Sequence, residues 1–197
     1  MGDRTARITR TTAEIDIDLT LDLGGAGSFS GTTGIGFFDH MLSAFARHGL
    51  FDLTLAAKGD LQVDGHHTVE DVGIVAGQAF ARALGDKRGI RRFGSIVLPM
   101  DEALILAACD FSGRGQLHWQ ADVPPVMVGA FDATLAKEFF IAFSANAGAT
   151  LHIRELAGEN THHVIEGMFK AVARALREAC EADPRLGDAL PSTKGLL

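Results

Sequence analysis

A repeated five-residue signature limits this chain more than any other feature. His66-His67-Thr68-Val69-Glu70 returns ninety-six residues later as His162-His163-Val164-Ile165-Glu166. In each copy the first His and the Glu stand at i and i+4, so on a helix they share a face, one turn apart. The second His points about 100° further around the axis. One copy therefore aims side chains in two directions, as a two-metal site requires. Imidazole and carboxylate suit Mn, Fe, Co, Ni or Zn. A single copy would read blandly, because a His-His pair is commonly a surface accident and a His–Glu pair a weak helix contact. Two copies, followed by the matching helix endings Phe80-Ala81-Arg82-Ala83-Leu84 and Val172-Ala173-Arg174-Ala175-Leu176, indicate a duplicated functional unit.

The segments around the copies repeat as well. Glu14 to Leu23 alternates polar and apolar without a break, predicting a strand with one wet and one buried face. Residues 4–10 predict a strand before it. Gly24-Gly25-Ala26-Gly27 is a turn, leading to a short strand at 28–33. Phe38, Met41, Leu42 and Phe45 line one side of a helix at 37–47, which His48-Gly49 is expected to end with Gly in the C′ position. A strand at 50–57 and a helix at 67–84 complete the first half. After a short basic linker, Gly85 to Arg92, the pattern restarts. Strands are expected at 95–98, 103–110, 116–123 and 149–154, with helices at 135–145 and from His162-His163 to about Cys180.

Each half thus reads β-β-β-α-β-α. Overlaying them sets Ala44-Phe45-Ala46 on Ala142-Phe143-Ser144 and His40 on Glu138, with four extra residues in the first half before Ala-Arg-Ala-Leu. The expected fold is α+β: two four-stranded sheets with helices packed on them. The halves span residues 1–88 and 89–183, and 184–197 form a tail. One face of each sheet is expected under helices, and the other against its fellow or against further subunits.

The 197 residues suffice for a core of one large or two small domains. A net charge of −7 argues against nucleic acid as a partner. Two cysteines without CxxC spacing, Cys109 and Cys180, suit reduced thiols in a cytosolic protein. The first ten residues lack the apolar core of a signal peptide, and no apolar run approaches a membrane span.

At this point the residues resemble a known family, the imidazoleglycerol-phosphate dehydratases. The resemblance rests on Phe38-Asp39-His40-Met41-Leu42, His48-Gly49, His66-His67-Thr68-Val69-Glu70-Asp71, Asp101-Glu102-Ala103, Ser112-Gly113-Arg114, Thr150-Leu151-His152-Ile153, Asn160-Thr161-His162-His163 with Glu166, and Ser192-Thr193-Lys194-Gly195. It implies a duplicated, ribosomal protein S5 domain 2-like fold, two Mn(2+) per active site, and self-association to a 24-mer with active sites between subunits. It also implies the reaction: removal of water from D-erythro-imidazole glycerol phosphate, by way of a metal-bound imidazolate, giving imidazole acetol phosphate in histidine biosynthesis. Carried over by position, one metal would be held by His40, His67, His162 and Glu166. The other would be held by His66, Glu70, His163 and Glu138, where many members have His. Glutamate suits Mn(II), a hard ion.

The same resemblance places His40, His66, Glu70 and His162 against the substrate, together with Glu14, His48 and Lys170. It assigns the phosphate to Arg92, Arg114, Ser192, Thr193 and Lys194, since arginine grips phosphate bidentately. Glu14 and Glu102 are candidates for the acid and base, each starting a strand at equivalent points of the repeat. Taken alone, Glu14 would read as a wet-face residue like Asp16 and Asp18. His48, the third catalytic candidate, either caps its helix or lines the pocket. His118 and His152 read as structural, and Arg88 and Arg91 as solvated linker residues. A metal-storage protein would share the paired histidines but has no use for the basic linker and tail. A dinuclear metallohydrolase would be expected to carry more aspartates among its ligands.

Overall fold

The computed structural model describes residues 4–197. The first half comprises β1 (Thr5–Thr11), β2 (Ile15–Asp22), β3 (Phe29–Thr32), α1 (Gly36–Gly49), β4 (Asp52–Gly59) and α2 (His66–Leu84). The second comprises β5 (Phe93–Met100), β6 (Ala103–Asp110), β7 (Gln116–Gln120), β8 (Met127–Val128), β9 (Phe131–Asp132), α3 (Leu135–Ala147), β10 (Thr150–Ala157) and α4 (Thr161–Cys180). The two four-stranded sheets have the same order, β1-β2-β4-β3 and β5-β6-β10-β7. In both, the last strand runs parallel to its neighbour. Even the pairs correspond: Thr54 faces Ser30, and its repeat-mate His152 faces His118.

Alternation does the work in the sheets. Ile15, Ile17, Leu19 and Leu21 of β2 are buried, while Asp16, Asp18, Thr20 and Asp22 turn outward. In β6 the buried set is Ala103, Ile105, Ala107 and Cys109. Each sheet buries one face against helices: α2 packs on β1 and β2, and α4 on β5 and β6. The helices then pack across the halves, α2 on α3 and α1 on α4. The order is sheet, helices, sheet, so the outer faces do not meet within the chain. One continuous apolar cluster joins both halves. Phe38 lies 5.9 Å from Phe131, 5.6 Å from Phe139 and 6.4 Å from Phe169, ring to ring, separations typical of favourable aromatic pairs.

Close approach of α2 and α3 depends on two glycines. A Cβ on Gly73 would lie 2.7 Å from the carbonyl oxygen of Phe139, and one on Gly77 2.5 Å from that of Phe143. The linker is tied down by the chain after α4: Arg91 N–H bonds the Glu181 carbonyl, Asp183 N–H bonds that of Gly89, and Ile90 bridges Ala182.

Three details differ from expectation. Gly49 still belongs to α1, and the left-handed cap is Leu50, φ 54°, whose N–H bonds the Ala46 carbonyl. β7 stops at Gln120, three residues short of the expected end at Val123. A small β8–β9 hairpin precedes α3, with no counterpart in the first half. Two-residue strands carry too little periodicity to be read from sequence.

Candidate active site

The helix starts converge. A Cβ on Gly65 would lie 3.0 Å from Ile35 Cδ1 and 3.4 Å from Leu135 Cδ1, which puts the first turns of α1, α2 and α3 together. The Phe37 ring lies 5.0 Å from that of His162, which brings in α4. Asn160 fixes where α4 begins, since its side-chain oxygen accepts the His162 N–H at 2.9 Å.

At this convergence His40, His162 and Glu166 offer nitrogen and oxygen atoms within 4.8 Å of one another. Glu166 Oε2 lies 3.2 Å from His162 Nε2 and 3.6 Å from His40 Nε2. Its other oxygen takes the Lys170 ammonium at 2.6 Å, one turn along α4. Burial acts to raise the Glu166 carboxyl, but Lys170, His40 and His162 outweigh it and hold it below the usual range. A buried carboxylate kept ionised between two imidazoles is a donor set suited to a divalent cation.

The second histidine of each pair points elsewhere, as a 100° step requires. His67 Nδ1 lies 3.0 Å from Asp60 Oδ2 and 3.8 Å from Glu14 Oε2. His163 Nδ1 lies 2.7 Å from Glu102 Oε2. A carboxylate only accepts, so in both rings Nδ1 carries the proton and Nε2 is left for a ligand. The hydrogen bond to Asp60 raises the His67 pKa, and that to Glu102 raises His163. Glu102 is pulled down to about 2 by His163 and by the Asn160 N–H. Glu14, its repeat-mate, is exposed, and its carboxylate makes no hydrogen bond among the described residues.

The expected residues therefore fall into separate groups within one chain. His40, His162 and Glu166 come together, while His67 lies with Asp60 and Glu14. His66 and Glu70 approach to 3.7 Å, His163 is held by Glu102, and Glu138 stands in the first turn of α3. His48 lies near Lys170 and Arg174 of α4; burial first, then these cations, lowers its pKa. A neutral ring gains little from the helix end, which weakens the capping role.

A second group lies at the far ends of α3 and α4. Arg92, φ 72°, grips Asp110 bidentately at 2.7 and 3.2 Å and donates to the Pro191 carbonyl at 2.8 Å. Its N–H bonds Ala179, near the end of α4. The tail then turns on Ser192, whose Oγ accepts the Lys194 N–H and donates to the Leu196 carbonyl. A Cβ on Gly113 would lie 2.8 Å from the Leu197 carbonyl carbon, so the tail ends beside Arg114. The tail that carries Ser192, Thr193 and Lys194 thus runs from Arg92 to the turn at Gly113 and Arg114. Arg88 pairs with Asp86, and Arg91 with Glu178 and Glu181, as linker residues would.

Asp60 was not singled out by sequence. Its contact with His67 depends on the loop after β4 folding back, where Val63 N–H bonds the Asp60 carbonyl, and no periodicity signals such a contact. A carboxylate seven residues before the second histidine of the pair was the one hint available.

The family model described as Imidazoleglycerol-phosphate dehydratase matches residues 33–176. Proteins of that name from Ruegeria pomeroyi and Paracoccus denitrificans are 57% and 58% identical over 194 residues, covering 98% of this chain and 100% of each relative. The crystal structure of the Staphylococcus aureus enzyme superimposes with TM-score 0.82 at 38% identity, over 91% of this chain and 99% of that one. The Pyrococcus furiosus structure gives 0.83 at 36%, over 96% and 100%. Fold and relatives agree on the class, an α+β lyase of the dehydratase kind. The chain belongs to the imidazoleglycerol-phosphate dehydratase family.

Proposed function

We propose that this chain dehydrates D-erythro-imidazole glycerol phosphate to imidazole acetol phosphate, with two Mn(2+) per active site, in the cytoplasm. The observation that carries the metal part is the grouping of His40, His162 and Glu166, together with two further histidines, His67 and His163, whose Nδ1 atoms are held by carboxylates. Metal-ligating histidines almost always donate the second ring N–H in this way. One ion would be held by His40, His67, His162 and Glu166, and the other by His66, Glu70, His163 and Glu138. Bound there, the ions supply Lewis-acid stabilisation of negative charge on the substrate's imidazole ring.

The chain's own residues divide the remaining work. Glu102 is spent on His163 and the Asn160 N–H, so it orients rather than transfers. Glu14, whose carboxylate makes no hydrogen bond among the described residues, is the group to take the carbon-bound proton. Lys170 keeps Glu166 ionised and in place. His48, held toward its neutral form, can donate or accept a proton near the substrate. Arg114, and Arg92 through the N–H groups that Asp110 and Pro191 do not take, bind the phosphate, and Ser192, Thr193 and Lys194 close over it.

Assembly follows from distance. Glu166 and Ala179 are thirteen residues apart on α4, about 20 Å at 1.5 Å per residue. The three-carbon chain between imidazole and phosphate cannot span that, so one copy's histidines must work with another copy's arginines. The 24-mer expected of this family supplies such boundaries.

The test is an assay of chelator-stripped protein reloaded with Mn(II). Imidazole glycerol phosphate should yield the enol or ketone only in the reloaded sample, and p-nitrophenyl phosphate should be untouched. Ester hydrolysis without dehydration would make the site a hydrolase.

A further inference from the structure

We propose that Asp60 is the positioning residue for His67, taking over in the first half the role that Glu102 has in the second. The inference rests on the reading of His67 as a metal ligand. The repeat alone would assign the role to Glu14, because Glu14 and Glu102 occupy matching hairpins. The distances say otherwise. Glu102 bonds Nδ1 of His163 at 2.7 Å, whereas Glu14 stays 3.8 Å from Nδ1 of His67 and Asp60 takes the bond at 3.0 Å. The exchange does not run both ways. Glu159 follows Gly158 as Asp60 follows Gly59, yet it makes no bond to His163 among the described residues.

Local packing holds Asp60 in place. A Cβ on Gly59 would fall 2.0 Å from Thr68 Oγ1, so the end of β4 is pressed against the first turn of α2. The Asp60 side chain is 15% exposed, and its second oxygen, Oδ1, is buried without a hydrogen-bond partner among the described residues. A buried polar atom without a partner calls for an explanation, and the site offers one in the work of the other oxygen. Here that oxygen accepts Nδ1–H, fixes the tautomer and turns Nε2 outward. It also leaves Glu14 at ion-pair distance from His67 and not hydrogen-bonded to it, as the proposed proton transfer needs.

The full-length metal-free protein would be titrated with Mn(II), with free ion followed by EPR, for wild type, Asp60→Asn, Asp60→Ala and His67→Asn. Melting of each metal-free protein gives the control. Asp60→Asn keeps the shape and loses the charge, so Mn(II) affinity should fall roughly 10–100-fold at the site that His67→Asn removes. Asp60→Ala should lose at least as much. The metal-free melting temperature of the Asn variant should not move. Wild-type affinity in Asp60→Asn, with a site lost in His67→Asn, would overturn the role of Asp60 and leave His67 a ligand. Wild-type binding in His67→Asn would remove the ligand reading and this inference with it. A fall in affinity matched by a fall in metal-free melting would make Asp60 a folding residue and also overturn the proposal.

Discussion

His152 and His118 stand side by side on the outer face of the second sheet, rings 4.3 Å apart and 14° from parallel. Burial, then His118 and Arg154, lowers the His152 pKa from 6.5. The unfolded chain therefore takes up this proton first as pH falls, so stability drops between pH 6.5 and the lowered folded value. His152→Ser should lose less stability than wild type between pH 8 and pH 5, measured by urea midpoint. An equal acid loss in both proteins would count against this. Sequence placed this histidine as the repeat-mate of Thr54 and as no ligand, but not its stacking, because a cross-strand partner depends on register. The same contrast runs through the site. His66, Glu70, His162 and Glu166 were legible because i,i+4 spacing on a helix is a local fact. That Glu102 is committed and Glu14 free was not, because it depends on the loop that carries Asp60.

Among the elements, α2 and α4 end at Leu84 and Cys180 as expected, but the end of α1 was misread. Histidine pairs and Asn160 mark where α2 and α4 begin, whereas α1 ends on Leu50, a residue with no claim to a left-handed φ. The cross-half packing of α2 on α3 was also hidden, since periodicity shows which face is apolar and not what covers it. Gly73 and Gly77 are the visible trace. Alanine at 77 gains up to about 1 kcal/mol of helix propensity. Its methyl, however, would meet the Phe143 carbonyl and the Ala147 nitrogen at 2.5 and 2.9 Å. Overpacking of that kind costs about 1–3 kcal/mol, so Gly77→Ala should melt several degrees lower. Gly36→Ala, with nothing within 4 Å, should melt no lower than wild type. Equal melting of the two variants would show that α2 and α3 part without cost.

For the whole molecule, the β-β-β-α-β-α repeat was legible because both halves carry the same markers in the same order. Among the described residues no helix is long and apolar enough to cross a membrane. The tail supplies a test on this scale. Truncation after Leu190 keeps Ala189, whose carbonyl accepts from Gly89, and removes Pro191 and all that follows. Hydrogen bonds to charged groups contribute about 1.5–3 kcal/mol each. KM should therefore rise roughly tenfold or more, with Mn(II) content unchanged at saturation. A wild-type KM would remove Ser192, Thr193 and Lys194 from the site.

His40 and Glu138 occupy matching places in the two halves, one imidazole and one carboxylate. Had the halves remained separate products of one coding sequence, any change at that place would alter both of the proposed metal positions together. Fusion gives each position its own codon. On the two-ion reading proposed above, one position can then be tuned toward nitrogen donors and the other toward oxygen, by a single inherited substitution that leaves its twin untouched.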